Sequence, residues 1–119
     1  MADAEAASLT IERLKKRPDF LAAATARAAP KGAVLIQARH RADDSATVRV
    51  GFTATRKIGG AVVRNRMKRR FRALAREIVP AKGMAGADHV MIGRSKGVER
   101  EFFLLRTELA DALDSLRKR

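Results

Sequence analysis

A long stretch without acidic residues, which carries one continuous apolar stripe, constrains the fold of this chain more than any other feature. No Asp or Glu occurs between Asp44 and Glu77. Within this stretch apolar side chains recur at steps of four, four, three and four residues, at Val63, Met67, Phe71, Leu74 and Ile78. Such steps place the side chains on one side of an α-helix. The sequence therefore predicts a helix from about Ala61 to Ile78 that packs along its length against a core.

The same stretch is strongly basic. Nine Lys and Arg residues occur within the 21 residues from Arg56 to Arg76. Arg64, Lys68 and Arg72 recur every fourth residue, so they are neighbours on the helix, where like charges repel. We expect this row on the face opposite the apolar stripe. Its repulsion indicates an anionic partner, and the excess of arginine, which contacts two phosphate oxygens at once and stacks on bases, favours folded nucleic acid over a merely solvated face.

The composition agrees with a polyanionic partner. The 119 residues include 26 Lys and Arg against 13 Asp and Glu, a net charge of +13 that opposes compaction unless it is neutralised. No run approaches the roughly 18 apolar residues that span a bilayer, and the N-terminus does not resemble a signal peptide. The absence of cysteine excludes disulfides, zinc fingers and thiol nucleophiles. We expect a cytoplasmic protein that binds nucleic acid and no membrane.

The rest of the chain predicts an α+β fold in one domain. Residues 1–10 are expected to form a disordered N-terminal tail and residues 11–119 the folded domain. A first helix should carry Phe20 and end before Pro30. Strands are predicted over residues 33–38, 48–55 and 89–93, the first two as an antiparallel hairpin, and residues 80–87 as a loop. A last helix carries Phe102, Leu105, Leu109, Leu113 and Leu116. This order predicts a sandwich of one sheet and three helices.

Few residues suggest catalysis by the chain itself. A protein nuclease typically gathers carboxylates around metal ions, or pairs a histidine with another acid or base. Here the acids are scattered, and His40 and His89 are better interpreted as structural. The Gly59-Gly60 pair is better interpreted as a turn before the helix than as a phosphate nest. We expect no catalytic residue and no metal site in this chain.

The region around the basic helix carries a specific motif. Residues 56–69 read Arg-Lys-Ile-Gly-Gly-Ala-Val-Val-Arg-Asn-Arg-Met-Lys-Arg. This resembles the signature of the bacterial ribonuclease P protein family: a basic pair, Ile-Gly, Ala-Val, and Arg-Asn-Arg-x-Lys-Arg. Leu14-Lys15-Lys16, Val-Arg-Val-Gly-Phe at 48–52 and Asp-His-Val-Met-Ile at 88–92 are similar to further parts of the family pattern. The resemblance extends from about residue 13 to 115.

The resemblance implies a function and a fold. Family members are protein subunits of an endoribonuclease that removes the 5′ leader of precursor tRNA. The implied partners are the catalytic RNA subunit and precursor tRNA, with no obligate protein partner evident. Catalysis is expected to reside in the RNA, with Mg²⁺ held by the RNA and substrate and not by a protein site. The implied fold is similar to the second domain of ribosomal protein S5, with a left-handed βαβ crossover.

Two sets of residues follow from the resemblance. The implied contact to the catalytic RNA comprises Arg64, Asn65, Arg66, Lys68, Arg69 and Arg72. The implied leader-binding cleft comprises Phe20, Arg56 and Lys57. Asn65 could instead order the neighbouring arginines, and Phe20 could be part of the core. Ala24 and Ile36 occupy positions where the family often has aromatic residues, so stacking on the leader should be weaker here.

Two rival interpretations come from other classes of protein. A small ribosomal protein would be equally short and basic, and it would sediment with the ribosomal subunits. A sequence-specific DNA-binding protein would need side chains aimed at base edges, whereas the predicted helix offers little except cations.

Overall fold

The computed structural model describes residues 9–94 and 101–117. Within them lie five strands, three α-helices and one short 3₁₀ turn, Arg56–Ile58. The elements in chain order are β1 (Ile11–Arg13), α1 (Arg17–Ala24), β2 (Arg27–Lys31), β3 (Val34–His40), β4 (Val48–Ala54), α2 (Ala61–Lys82), β5 (Ala87–Gly93) and α3 (Phe102–Arg117). Most of the predicted tail, residues 1–8, lies outside the described residues. Its last two residues hydrogen-bond to the domain, Leu9 through its amide to the Pro80 carbonyl and Thr10 through its carbonyl to the Val48 amide.

The strands form one mixed sheet in the order β1-β4-β5-β3-β2. β4 is parallel to both β1 and β5, whereas β3 is antiparallel to both β5 and β2. The predicted α+β fold with one sheet and three helices is thus confirmed. α2 connects the parallel neighbours β4 and β5. The left-handed sense of this crossover and the similarity to ribosomal protein S5 remain predictions of the resemblance.

The predicted hairpin between the strands now called β3 and β4 is wrong. β5 lies between them and pairs with both. Six of its seven residues are buried, because helices cover both faces of the sheet at this position. A short apolar run of this kind is typical of a central strand. Alternation within β3 and β4 could show which side faced the core, but it could not show which strand was the neighbour.

Two edge strands were absent from the prediction. β1 has only three residues, too few to show an alternating pattern. β2 reads Arg-Ala-Ala-Pro-Lys, and its first three residues were predicted as the end of the first helix. That helix stops at Ala24, since the alanines that follow pair with β3 and tertiary pairing overrides a local helix propensity. Pro30 is compatible with an edge strand because one side of that strand needs no amide donor.

The central helix is longer than predicted. α2 continues through Pro80 to Lys82, over residues expected to form a loop. The last turn remains closed, as the Gly83 amide donates to the Val79 carbonyl at 2.8 Å. The last carbonyls of a helix have no amide partner within the helix. The Pro80 carbonyl is one of them, and it accepts a hydrogen bond from the Leu9 amide.

The helices divide between the two faces of the sheet. α2 and α3 cover one face and enclose the larger core, in which Phe71, Met67, Leu105 and Leu109 are buried. α1 packs on the other face over a smaller cluster formed by Leu14, Ala23 and Val90, with Phe20 and Ile92 at its margin. The sheet therefore presents two different surfaces, one beside α1 and one beside α2.

Candidate nucleic-acid interface

The turn before α2 depends on one glycine. Gly59 has a φ of 151°, and a Cβ built on it would lie 3.1 Å from the Val63 Cβ. L-residues with side chains rarely adopt this backbone conformation. Gly60, the residue before the first helical turn, has open space around it and provides no side-chain cap. The interpretation of Gly59-Gly60 as a turn before the helix is therefore supported at Gly59.

The basic side chains of α2 occupy two positions relative to the buried stripe. Asn65, Arg66 and Arg69 are exposed. Arg64, Lys68 and Arg72 are half-buried, because each lies only about 60–140° around the helix from Met67 at about 100° per residue. The prediction that this row lies opposite the apolar stripe is wrong. The row flanks the stripe, and the exposed cations of the predicted RNA contact are Arg66 and Arg69.

The cations of this surface lack acidic partners. Within residues 9–94 and 101–117, none of Arg64, Arg66, Lys68, Arg69 and Arg72 forms an ion pair. The guanidinium of Arg72 instead lies over the ring of Phe52, 5.9 Å from its centroid. The crowding of positive charges also affects Arg70, a neighbouring residue of α2. Burial, together with the positive charge of Arg66, lowers the pKa of Arg70 below its ordinary value. An anion that approaches this helix would relieve that repulsion.

Phe20 lies on the opposite face of the sheet, above Gly51. A Cβ at Gly51 would lie 2.5 Å from the Phe20 ring, so the glycine permits the ring to rest on the strand. The ring is half-buried against the Leu14 cluster. It also lines an open depression of about 380 Å³ together with Lys15, Arg17 and Thr53. Phe20 is thus both a packing residue and a surface residue, and the alternatives of core and cleft do not exclude each other.

Arg56 and Lys57 are less closely associated with Phe20 than the resemblance implied. Both are exposed in the 3₁₀ turn that follows β4, three to four residues beyond Thr53. They lie past the end of the strand and are not among the residues that line the depression. Lys15 and Arg17 do line the depression, although they were not predicted. The run Lys15-Lys16-Arg17, at the start of α1, was the signal in the sequence that could have identified them.

A buried carboxylate on the same face was also missed. Asp88 has no exposed surface, and three arginines surround it. Arg49 donates two hydrogen bonds of 2.7 Å, while Arg39 and Arg41 each donate one of 3.0 Å. Asp19 of α1 pairs with both Arg39 and Arg49, at 3.5 and 3.4 Å. This Asp88 network, comprising Asp19, Arg39, Arg41, Arg49 and Asp88, fastens α1 to the sheet.

The sheet register explains the network. Arg39 of β3 and Arg49 of β4 are both register partners of Asp88 in β5, so the three side chains lie side by side across the sheet. Burial acts to raise the pKa of Asp88, but the hydrogen bonds from Arg49, Arg41 and Arg39 outweigh it and hold the pKa below its ordinary value. Asp88 therefore stays ionised. The strand residues gave a signal only in the match of residues 88–92 to the family pattern.

The two histidines differ in burial. His89 is fully buried, and its Nε2 accepts a hydrogen bond of 3.3 Å from the Met84 amide. Burial lowers its pKa to about 4, which keeps it neutral near pH 7. His40 is exposed at the end of β3. Over the described part of the chain, no three His, Cys, Asp or Glu side chains are grouped so that they could hold a metal ion, and no helix is long and apolar enough to cross a membrane.

Comparison with known proteins identifies the family. The sequence profile of the family Ribonuclease P matches residues 10–117. The ribonuclease P protein component of Caulobacter vibrioides is 54% identical over 109 residues, which cover 92% of this chain and 73% of the relative. That of Erythrobacter litoralis is 49% identical over 106 residues, which cover 88% and 85%.

Solved structures agree with the sequence relatives. The ribonuclease P protein from Thermotoga maritima superposes with a TM-score of 0.70 at 31% identity, covering 86% of this chain and 94% of that one. The protein from Staphylococcus aureus superposes with a TM-score of 0.74 at 21% identity, covering 87% and 94%, and supports the fold alone. With the motif at residues 56–69, these matches show that the chain belongs to the ribonuclease P protein family, the protein components of a tRNA-processing endoribonuclease.

Proposed function

We propose that this chain binds the catalytic RNA of ribonuclease P through α2 and the 5′ leader of precursor tRNA through the α1 face of the sheet. In this function it assists the Mg²⁺-dependent removal of the leader. The observation that carries the proposal is the set of α2 cations without acidic partners in the described residues. Each phosphate that they neutralise would release counterions and so strengthen binding.

The contact to the catalytic RNA falls on the two kinds of cation in α2. Arg66 and Arg69 extend into solvent and can reach phosphates without any rearrangement. Arg64, Lys68 and Arg72 are half-buried, and long cationic side chains in such positions can pack their stems on the domain while their charges stay in reach of a phosphate. Asn65 lies between Arg64 and Arg66 on the exposed side, where its amide can both donate and accept a hydrogen bond.

The contact to the leader falls on the depression beside α1. The exposed part of the Phe20 ring offers a surface on which a base can stack, and Lys15 and Arg17 supply positive charge beside it. Arg56 and Lys57 would meet the strand further along, past the end of β4. A single strand that crosses this face would therefore pass from an aromatic contact to purely cationic ones.

Hydrolysis is assigned to the RNA subunit. Three acids at the α1 face are engaged by arginines: Asp19 and Asp88 pair with Arg39 and Arg49, and Asp43 pairs with Arg41. Such carboxylates are poor ligands for Mg²⁺, which prefers free carboxylate and phosphate oxygens. These paired carboxylates do not fit a protein-held Mg²⁺, and the described residues contain no other group of three possible metal ligands, so we place the ion in the RNA and its substrate.

Reconstitution at low Mg²⁺ tests the proposed function. The protein without RNA should leave precursor tRNA intact, and it should restore cleavage by the catalytic RNA at an Mg²⁺ concentration where the RNA alone is inactive. Cleavage at the mature 5′ end would be followed on a gel with end-labelled precursor. Processing by protein that has been freed of RNA would contradict the assignment of catalysis, and a failure to restore cleavage would contradict the proposed role.

A further inference from the structure

A groove on the α2 face, at the sheet edge formed by β1, is not explained by either surface described above. It has a volume of about 290 Å³, near the lower end of the roughly 300–1,000 Å³ of small-molecule sites. Arg13 of β1 and Arg72 and Arg76 of α2 border it, and Phe52 and Val50 of β4 form its floor. The groove therefore combines three cations with one aromatic ring.

The charges around the groove are available to a ligand. Arg13 and Arg76 are exposed, and neither forms an ion pair within residues 9–94 and 101–117. Glu12 also reaches the rim. However, successive side chains of a strand point to opposite faces. Glu12 shares the face of its register partner Arg49, whereas Arg13 shares that of Val50. The charged residues that line the groove from its own face are therefore all cations.

Phe52 and Arg72 present flat groups that suit a planar ligand. The Arg72 guanidinium lies 5.9 Å from the centre of the Phe52 ring, and the ring is only partly buried. Nucleobases stack on aromatic rings and on arginine planes, and unpaired RNA is recognised in this way. Phosphates on either side of such a base would face Arg13 and Arg76, which border the groove from β1 and from α2 respectively.

We propose that this groove holds an unpaired nucleotide of the catalytic RNA, with its base against Phe52 and Arg72 and its phosphates beside Arg13 and Arg76. The inference rests on the proposed function. The occupant is the catalytic RNA and not the leader, because the row Arg64, Lys68 and Arg72 leads along α2 into the groove. The depression beside Phe20 lies on the opposite face of the sheet.

Directed cleavage of RNA can locate the occupant. The chain has no cysteine, so Ile11→Cys places a single thiol at the groove, on the same face of β1 as Arg13, to which an iron chelate that generates hydroxyl radicals can be attached. In the assembled holoenzyme it should cut the catalytic RNA at one cluster of nucleotides. Lys31→Cys is the matched control, since Lys31 is exposed in β2 at the opposite edge of the sheet. Cuts in the leader alone, or no cuts beyond those from Lys31→Cys, would overturn the proposal.

Binding measurements test the chemistry of the site. The double variant Arg13→Gln and Arg76→Gln should reduce the slope of log affinity against log salt by about 1.4–1.8, while Lys31→Gln leaves it unchanged. Phe52→Leu should weaken binding to the catalytic RNA roughly 5- to 150-fold, and Phe52→Tyr, which keeps the ring, should retain most of the affinity.

Thermal melts of each variant exclude a loss of folding. Equal affinities for the Leu and Tyr variants at position 52, or an unchanged salt slope, would show that the groove is empty in the complex. If wild type itself fails to bind the catalytic RNA or to restore cleavage at low Mg²⁺, the proposed function fails. If wild type succeeds and only the groove variants show no effect, this inference alone fails.

Discussion

At the scale of single residues, Asp88 determines how the arginines of the α1 face are used. Its carboxylate accepts hydrogen bonds from Arg39, Arg41 and Arg49, which are therefore engaged in structure. The exposed cations around Phe20, by contrast, come from Lys15 and Arg17. The buried Asp88 thus holds Arg39, Arg41 and Arg49 in the structure, whereas Lys15 and Arg17 stay able to bind a nucleic acid.

Asp88→Asn should destabilise the protein. The amide has nearly the same shape as the carboxylate, but it leaves three guanidinium groups without their shared counter-charge. We expect a loss of about 3 kcal/mol in the free energy of unfolding, the low end of the range for breaking a buried ion pair, because Arg39 and Arg49 remain partly exposed. Urea unfolding at pH 7 measures it. Asp43→Asn is the control, since Asp43 is exposed at the edge of the same network and should hardly change stability.

The same residue predicts a dependence on pH. The pKa of Asp88 is lower in the folded state than the roughly 3.9 of an unfolded aspartate. Its contribution is therefore fully present above about pH 4 and is lost as the pH falls through the folded pKa. Wild type should lose more stability than Asp88→Asn between pH 5 and the acid transition. If the free energy of unfolding falls equally with pH in the two proteins, Asp88 does not contribute this pH dependence.

Phe20 allows the leader contact to be tested apart from folding. Phe20→Leu keeps an apolar side chain over Gly51 but removes the ring. We expect the preference for precursor over mature tRNA to fall by about 1–3 kcal/mol, with a stability loss nearer 1 kcal/mol. Binding of both RNAs to the holoenzyme, alongside a melt, measures this. Leu21→Ala, at a neighbouring residue 55% exposed, is the control. A large melt shift with unaltered leader preference would restrict Phe20 to packing.

At the scale of elements, α2 combines packing and binding on adjacent strips of its surface. Arg66→Gln with Arg69→Gln should make the salt slope for the catalytic RNA shallower by about 1.4–1.8 and leave stability unchanged. The triple change of Arg64, Lys68 and Arg72 to Gln should reduce the slope by about 2.1–2.7. It should also lower stability, because these stems are half-buried and Arg72 stacks on Phe52.

Salt titrations together with thermal melts distinguish the exposed pair, Arg66 and Arg69, from the half-buried row Arg64, Lys68 and Arg72. The triple variant would fold at least as stably as wild type if its charges lay opposite the core, because only their mutual repulsion would be lost. If it does so, the packing of these side chains contributes nothing. If neither variant changes the slope, the RNA contact lies elsewhere on the domain.

The elements differ in how well the sequence predicted them. α2 and α3 were predictable because their apolar positions repeat over four or more turns. The pairing of β5 between β3 and β4 was not, since strand order depends on contacts distant in sequence. β2 was hidden because Ala28 and Ala29 favour a helix locally and become a strand only by pairing with Gln37 and Ile36. In the candidate site, the motif identified α2, whereas the Asp88 network required the register of three strands.

At the scale of the whole molecule, the net charge of +13 is a property of the free protein as well as of its complex. Self-repulsion should make the isolated protein most fragile at low ionic strength. We expect its melting temperature to rise by several degrees as sodium chloride is raised from about 10 to 200 mM, and to rise further in sulfate, which binds basic sites. Differential scanning fluorimetry measures both. A falling melting temperature would show that screening of ion pairs such as the Asp88 network outweighs the repulsion.

The two edges of the sheet bear on how such a protein persists before it meets its RNA. An exposed edge strand offers unpaired backbone groups to which another chain can add as a further strand, a common route to aggregation. Here β1 offers only three residues, and β2 carries Pro30 with Lys31 beside it. A short strand, a proline and a lysine are each known means of blunting an edge. The shortness of β1, which also hid it from sequence inspection, and the Pro30-Lys31 pair of β2 would thus keep newly made copies from polymerising edge to edge.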